Sequence, residues 1–264
     1  MKGGGERRYV KPLLALLGTR TVETTDWQTE ADNAAGELFP PGIFEVPSPH
    51  NATINREVHT PISAVLKFIG HPIMLRRPKM PRARPKWISP QDAEKWLAVC
   101  SPKLRRLSVF LLYTGCRLGE ALALTGRNFS MDRNLAFIED TKNGESRAVH
   151  LPAPVINEMQ DIQLAPDQLV FGYLTRWHVY DEWQPLRDDL GFPAWWTPHA
   201  CCHTWATWMR QYAGMDLRGL LGTGRWKDLK SVLVYQHVET TTESRAADKL
   251  PDVSGKKSGE SRVA

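Results

Sequence analysis

The chain has 264 residues, 42% of them hydrophobic and 24% charged, with ten tryptophans and a formal charge of +5. That is enough apolar material for one or two domains with real cores, and it excludes a disordered chain. No apolar run approaches bilayer length, and the start "MKGGGERRYVKPLLALLG" lacks a cleavage pattern, so no membrane span or signal peptide is expected and the chain reads as cytoplasmic.

In chain order, helical spacing predicts a helix over 8–18, ended by Gly18, and another over 25–38, "TDWQTEADNAAGEL". The Pro- and Gly-punctuated "FPPGIFEVPSP" follows as a loop. "NATINREVHTPISAVLKFIG" opens with Asn51 as a cap and ends at Gly70, with Pro61 dividing it into two helices. Together these make a small helical domain over 1–72. Residues 73–86 read as a basic linker, kept extended by prolines and carrying Arg76, Arg77, Lys79, Arg82, Arg84 and Lys86. That charge suits a segment crossing a phosphate backbone; an ordinary solvated loop is the alternative.

A second domain over 87–241 begins at "WISPQDAEKWLAVC", where Ser89 caps a helix and Pro90 fits its first turn. Residues 102–114 predict a second helix and "RLGEALALT" a third, after the tight "TGC". The period then shortens: "NLAFIED" and "SRAVHLPA" read as strands joined by the Asn-Gly turn of "TKNGE". Helical patterns return at 153–163 and after Pro198, and residues 242–264 read as a flexible tail. The expected fold is mainly α with a small antiparallel β-sheet.

The reactive residues are informative through their order. Arg117 comes first, Lys142 sits on the hairpin, and His199, His203, Trp226 and Tyr235 follow. Cations together with a hydroxyl nucleophile suit attack on a phosphodiester. Taken singly, each has a plainer reading: a packed tyrosine or tryptophan, satisfied core histidines, a surface arginine paired with Glu120, a soluble hairpin tip. Cys201 and Cys202 beside His199 and His203 raise the question of zinc. Adjacent residues on a helix diverge by about 100 degrees, so both thiols do not meet one ion, and no metal or cofactor is expected.

In this order the motifs resemble those of the tyrosine recombinases, or phage-type integrases. "LLYTGCRLGEALALT" resembles the family's first arginine motif, "TKNGESRAVHLP" its lysine hairpin, "TPHACCHTWAT" its His-x-x-Arg-His box, and "GRWKDLKSVLVYQHV" its nucleophile segment. The likeness covers 87–240, and "NREVHTPISAVLKF" resembles part of the family's helical core-binding domain. It implies Tyr235 as nucleophile, Arg117 as phosphate clamp and Lys142 as general acid. His199 would serve proton transfer or phosphate support, Trp226 would donate to phosphate, and His203 and Glu120 would organise the site. It also implies double-stranded DNA with a specific core site as partner, and a homotetramer on synapsed DNA assembled from monomers or weak oligomers. An accessory DNA-bending protein and service to a mobile element belong to the same expectation. Asn55, Arg56 and Lys67 join the linker cations as DNA-binding candidates.

The departure lies at Cys202, where the resemblance would place arginine. A thiol lacks the permanent charge and planar fork of a guanidinium. Arg210, eight residues on, is not placed by that spacing to reach the same phosphate. Reduced chemistry on a preserved fold is therefore expected. A DNA-binding regulator on the same scaffold is the rival reading; a helical protein-interaction domain would leave the ordered reactive residues without a role.

Overall fold

The computed structural model describes residues 7–40, 51–79, 85–139 and 146–236. The chain divides into two compact units, Met1–Ala83 and Arg84–Ala264.

In the first unit, α1 (Arg7–Leu17) is followed by α2 (Trp27–Leu38), whose start is fixed by Asp26. The Asp26 carboxylate accepts from the amides of Gln28 and Thr29 at 3.1 and 3.3 Å. α3 (Asn51–Ile54) passes through a π-helical turn, Asn55–His59, into α4 (Thr60–Phe68). The helical path therefore continues through Pro61 instead of breaking there. The wide π turn lies just where the proline ring would clash with a regular preceding turn, and the Thr60 amide and hydroxyl both donate to the Asn55 carbonyl. Leu13, Trp27, Ala31, Val58, Ile62 and Leu66 form the core, and Leu75 joins it. Leu75 thus brings the irregular residues 73–79 onto this unit. The Arg76 amide donates to Gln28 Oε1 at 2.7 Å, and Asn51 Nδ2 donates to the Lys79 carbonyl at 2.7 Å.

The second unit opens with α5 (Pro90–Val99) and α6 (Pro102–Thr114), each begun by a serine cap and a proline. The Oγ atoms of Ser89 and Ser101 accept from the amides of Asp92 and Leu104 at 3.1 and 3.2 Å. Eight of the thirteen α6 residues are buried, which makes it the central helix; α8 (Ala153–Met159) and α10 (Ala200–Gln211) pack on it. α9 (Arg176–Asp189) adds Trp183 to an aromatic cluster with Trp96 and Trp196. The buried indoles are satisfied in part by Trp96 donating to Ser108 Oγ at 3.1 Å and Trp183 donating to the Trp196 carbonyl at 2.9 Å.

β1 (Phe129–Ser130), β2 (Leu135–Ile138) and β3 (Arg147–His150) form an antiparallel sheet in that order. Ala136 faces Val149 across the ladder and both are buried, while Ile138 faces Arg147. Alternation puts Arg147 on the same side of β3 as Val149, so its cation points inward rather than to solvent. The short helices α7 (Leu118–Leu122), α11 (Leu217–Gly222) and α12 (Leu229–Val232) complete the unit, with a 3₁₀ turn, Leu233–Tyr235, after α12. The expected Asn-Gly turn and C-terminal tail lie outside the described residues. Among the described residues, no helix is long and apolar enough to cross a membrane, and all four cysteines are free thiols.

Candidate active site

Residues from four segments of the second unit line one cavity of about 110 Å³: Arg117, His199, Cys202, His203, Arg225, Trp226 and Tyr235. The first segment is set by the end of α6. Gly115 closes that helix with φ 62°, and a Cβ there would overlap the Trp205 ring. The turn brings Arg117 to the start of α7, where Glu120 receives it: the Arg117 amide donates to Oε2 at 2.9 Å and Nη1 to Oε1 at 2.7 Å. Arg147, from β3, donates to the same Oε2 at 2.6 Å.

Glu120 is buried, which opposes its ionisation. The Arg117 amide, the Arg147 charge and the Arg117 side chain outweigh that cost and hold its carboxyl below the ordinary value. A carboxylate with both oxygens occupied by guanidinium groups is a rigid anchor for them.

The second segment is the start of α10. His199 and His203 stand edge to face with ring centroids 5.3 Å apart. Burial, followed by the charge of His199, lowers the His203 pKa, so its ring is neutral at neutral pH. Cys202 lies between them in sequence and donates its thiol to the Cys116 carbonyl at 3.2 Å. Burial raises the Cys202 pKa, so the group at this position is a neutral thiol and does not repel an anion. Cys201 is fully buried with its pKa raised well above the ordinary value, again chiefly by burial. Among the described residues no group of three or more His, Cys, Asp or Glu could hold a metal ion.

The third and fourth segments are the turn after α11 and the 3₁₀ turn. Tyr235 is 2% exposed, and its hydroxyl lies 2.8 Å from His203 Nδ1. Its pKa is raised, first by burial and then by Cys202, while the Arg225 charge works in the opposite direction. Behind it, Trp205, Ala206, Leu220 and Val232 form a small core. The Trp226 ring meets Tyr235 edge-on at 5.6 Å and stacks on Trp205 at 6.2 Å.

The phage integrase family model matches residues 86–242. The chain belongs to the phage integrase family. The tyrosine recombinase XerC of Brucella melitensis is 29% identical over 200 residues, which cover 66% of this chain and 62% of that protein. XerA of Pyrococcus furiosus is 26% identical over 194 residues, with 67% of each chain covered. The integrase of Salmonella phage P22 is 23% identical over 212 residues, covering 72% of this chain and 53% of the phage protein. The chain thus spans less than two thirds of the Brucella relative and about half of the phage one. The fold is also that of the Tn1549 transposon integrase, solved with transposon right end DNA (TM-score 0.68, 18% identity, 91% of this chain and 90% of that one). The XerH recombinase, solved on palindromic difH substrate, matches with TM-score 0.64 at 17% identity, covering 87% and 72%.

Of the integrase residues expected from the motifs, the cavity brings together Tyr235, Arg117, His199, His203, Trp226 and Cys202, with Glu120 behind Arg117. Lys142 lies outside the described residues, as do Arg82 and Arg84. Arg56, Lys67, Arg76, Arg77, Lys79 and Lys86 are exposed. Arg56 Nε donates to Glu57 at 2.6 Å, Arg77 Nη1 to Thr60 Oγ1 at 3.2 Å, and Lys86 Nζ stands 5.9 Å from the centre of the Trp195 ring. Asn55 Nδ2 donates to the Pro78 carbonyl at 3.0 Å, so this amide fastens the irregular segment to its helix.

Three cations at or beside the cavity were not anticipated from sequence. Arg147 and Arg225 reach the site from β3 and from the turn before Trp226. Arg176, at the start of α9, lines an adjoining cleft of about 450 Å³ together with Arg117, His199 and Tyr180. Arg210, by contrast, donates to the Met215 carbonyl at 3.0 Å.

Proposed function

We propose that this chain carries out site-specific recombination of double-stranded DNA through a 3′-phosphotyrosyl intermediate. The observation that carries the reading is the convergence of Tyr235, Arg117, His199, His203 and Trp226 on one cavity. The Tyr235 oxygen attacks the scissile phosphorus while its proton passes to His203, the neutral group 2.8 Å away. Arg117, held by Glu120, takes a non-bridging oxygen as charge builds on it. The Trp226 indole and His199 donate to the same group. The phosphorus–O5′ bond breaks, and Lys142 returns a proton to the leaving oxygen. One phosphoester forms as another is lost, so no energy-rich cofactor is needed, and a 5′ hydroxyl from the partner strand reverses the step.

Cys202 puts a thiol where the resemblance places a guanidinium, which reduces this chemistry to the extent that no other cation stands in. Loss of one preorganised donor to a developing oxyanion typically costs about 3–4 kcal/mol, or on the order of a hundredfold or more in rate. The irregular basic segment and Arg56 and Lys67 supply salt-sensitive backbone affinity. The core site, the tetramer on synapsed DNA, an accessory bending protein and action in the cytoplasm complete the reading. The Tn1549 and XerH proteins, solved on their own DNA, lend it support through a shared fold.

Covalent capture tests it. The chain is incubated with a randomised pool of nicked duplexes and the products are separated under denaturing conditions. A slow adduct is expected, absent with Tyr235→Phe. DNA binding with no adduct from either form favours the second reading, a regulator, which the neutral thiol at position 202 and the deeply buried Tyr235 support.

A further inference from the structure

We infer that Arg225 is a second phosphate-holding guanidinium, reaching from the turn after α11 into the place where position 202 carries cysteine. The inference rests on the recombinase reading above and assigns a residue to its substrate.

Arg225 is 4% exposed and follows Gly224, whose φ of 71° turns the chain inward. Its Nη2 lies 3.8 Å from Cys202 Sγ, and its Nη1 donates to the Thr114 carbonyl at 3.4 Å. The guanidinium carbon stands 5.4 Å from the centre of the Trp205 ring. The cation therefore sits just beyond the end of the short Cys202 side chain. An arginine at 202 would have to extend through the volume that the Arg225 guanidinium fills. The small residue on α10 and the long cation on the facing turn are two halves of one exchange.

The local charge balance points the same way. Three guanidinium groups, those of Arg117, Arg147 and Arg225, surround one carboxylate. Both oxygens of Glu120 are taken by Arg117 and Arg147. Arg225 donates to a carbonyl and a thiol and stands over the Trp205 ring, with the charge of Glu120 acting on it only at longer range, so its guanidinium keeps donor capacity for an arriving anion. Its backbone is tied in as well, since Arg117 Nη2 donates to the Arg225 carbonyl at 3.3 Å. Two cations that share a strut and a cavity with Tyr235 suit the two non-bridging oxygens of one phosphodiester. The Arg225 charge also draws down the pKa of Tyr235 against its burial, as a group near the attacking oxygen would.

The test uses duplexes captured by the unaltered chain and compares it with Arg225→Ala, Arg225→Gln, Cys202→Arg, and Cys202→Arg combined with Arg225→Ala. Tyr235→Phe is the blank, and melting temperature and gel-shift binding are recorded for each chain. Arg225→Ala and Arg225→Gln are expected to lower the adduct rate about a hundredfold or more. The double variant recovers at least the unaltered rate, while Cys202→Arg alone gains less because two cations contend for one space. A methylphosphonate at the cleaved linkage, which removes one phosphate charge, shrinks the Arg225→Ala defect. A Tyr235-dependent adduct formed equally fast without the Arg225 guanidinium overturns the inference and leaves the recombinase reading standing. Equal loss in both 202 backgrounds, insensitive to the methylphosphonate, also overturns it by making Arg225 structural. Absence of any Tyr235-dependent adduct from every chain overturns the reading beneath it.

Discussion

The contact between His203 Nδ1 and the Tyr235 hydroxyl makes the histidine the first group to consider for the tyrosine's proton. Replacing it by alanine leaves a buried hydroxyl unpaired, at a cost of about 1–3 kcal/mol, and removes a base worth roughly a hundredfold in rate. His203→Ala should therefore lower both the melting temperature and the adduct rate. The sign of the pH effect follows from the depressed pKa. The ring is neutral above its folded value, which lies below 6.5, so cleavage persists through pH 6.5 and declines on further acidification. The unfolded chain takes up that proton first, so the same contribution to stability falls as pH drops below 6.5, as acid titration of the folding equilibrium would reveal. Removing His203 should flatten this part of both profiles. Tyr235, with its pKa raised, acts at the other end: stability falls as pH rises above 10, because the unfolded phenol ionises first.

At the level of elements, the end of α6 is the most exposed to single changes. Gly115→Ala imposes a side chain on a left-handed residue and drives a methyl into Trp205, the ring on which Trp226 stacks. A loss of about 2 kcal/mol is expected, a fall of roughly 4–8 °C in melting temperature, together with slower adduct formation because Trp205 packs behind Tyr235. Thermal unfolding and adduct kinetics on the same preparation check both effects. The start of α5 was readable in the sequence because Ser89, Pro90 and a hydrophobic period agree there, and α6 was read at its bounds from its period. α9 was not: Pro185 interrupts its pattern and only Val179 and Trp183 are buried in it, so little of its face signals a helix. β1 has two residues and no period of its own. Arg225 escaped for a different reason. Nothing in the spacing links residue 225 to residue 202, and only the tertiary approach of the α11 turn to α10 joins them. A basic residue after Gly224 and directly before Trp226 was the one local signal.

For the whole molecule, the two units each contribute cations of a different kind. Among the described residues Arg56, Lys67, Arg76, Arg77, Lys79 and Lys86 are exposed, so they suit phosphates of the DNA backbone. Arg77→Ala should weaken duplex binding evenly across sequences and lower the slope of log affinity against log salt by about one, as a salt titration would record. Arg176→Ala, in the cleft beside the cavity, should do the same while leaving the His203-dependent pH profile unchanged. The inner guanidinium groups of Arg117 and Arg147 are instead half-buried in ion pairs with Glu120, so Glu120→Gln should release Arg117 and lower the adduct rate more than duplex affinity. The most direct measurement of the proposed chemistry is the mass of the peptide left on DNA after digestion of a captured adduct. A 3′-phosphate esterified to Tyr235 is the predicted product; a link to any other residue, or cleavage that survives Tyr235→Phe, would contradict it.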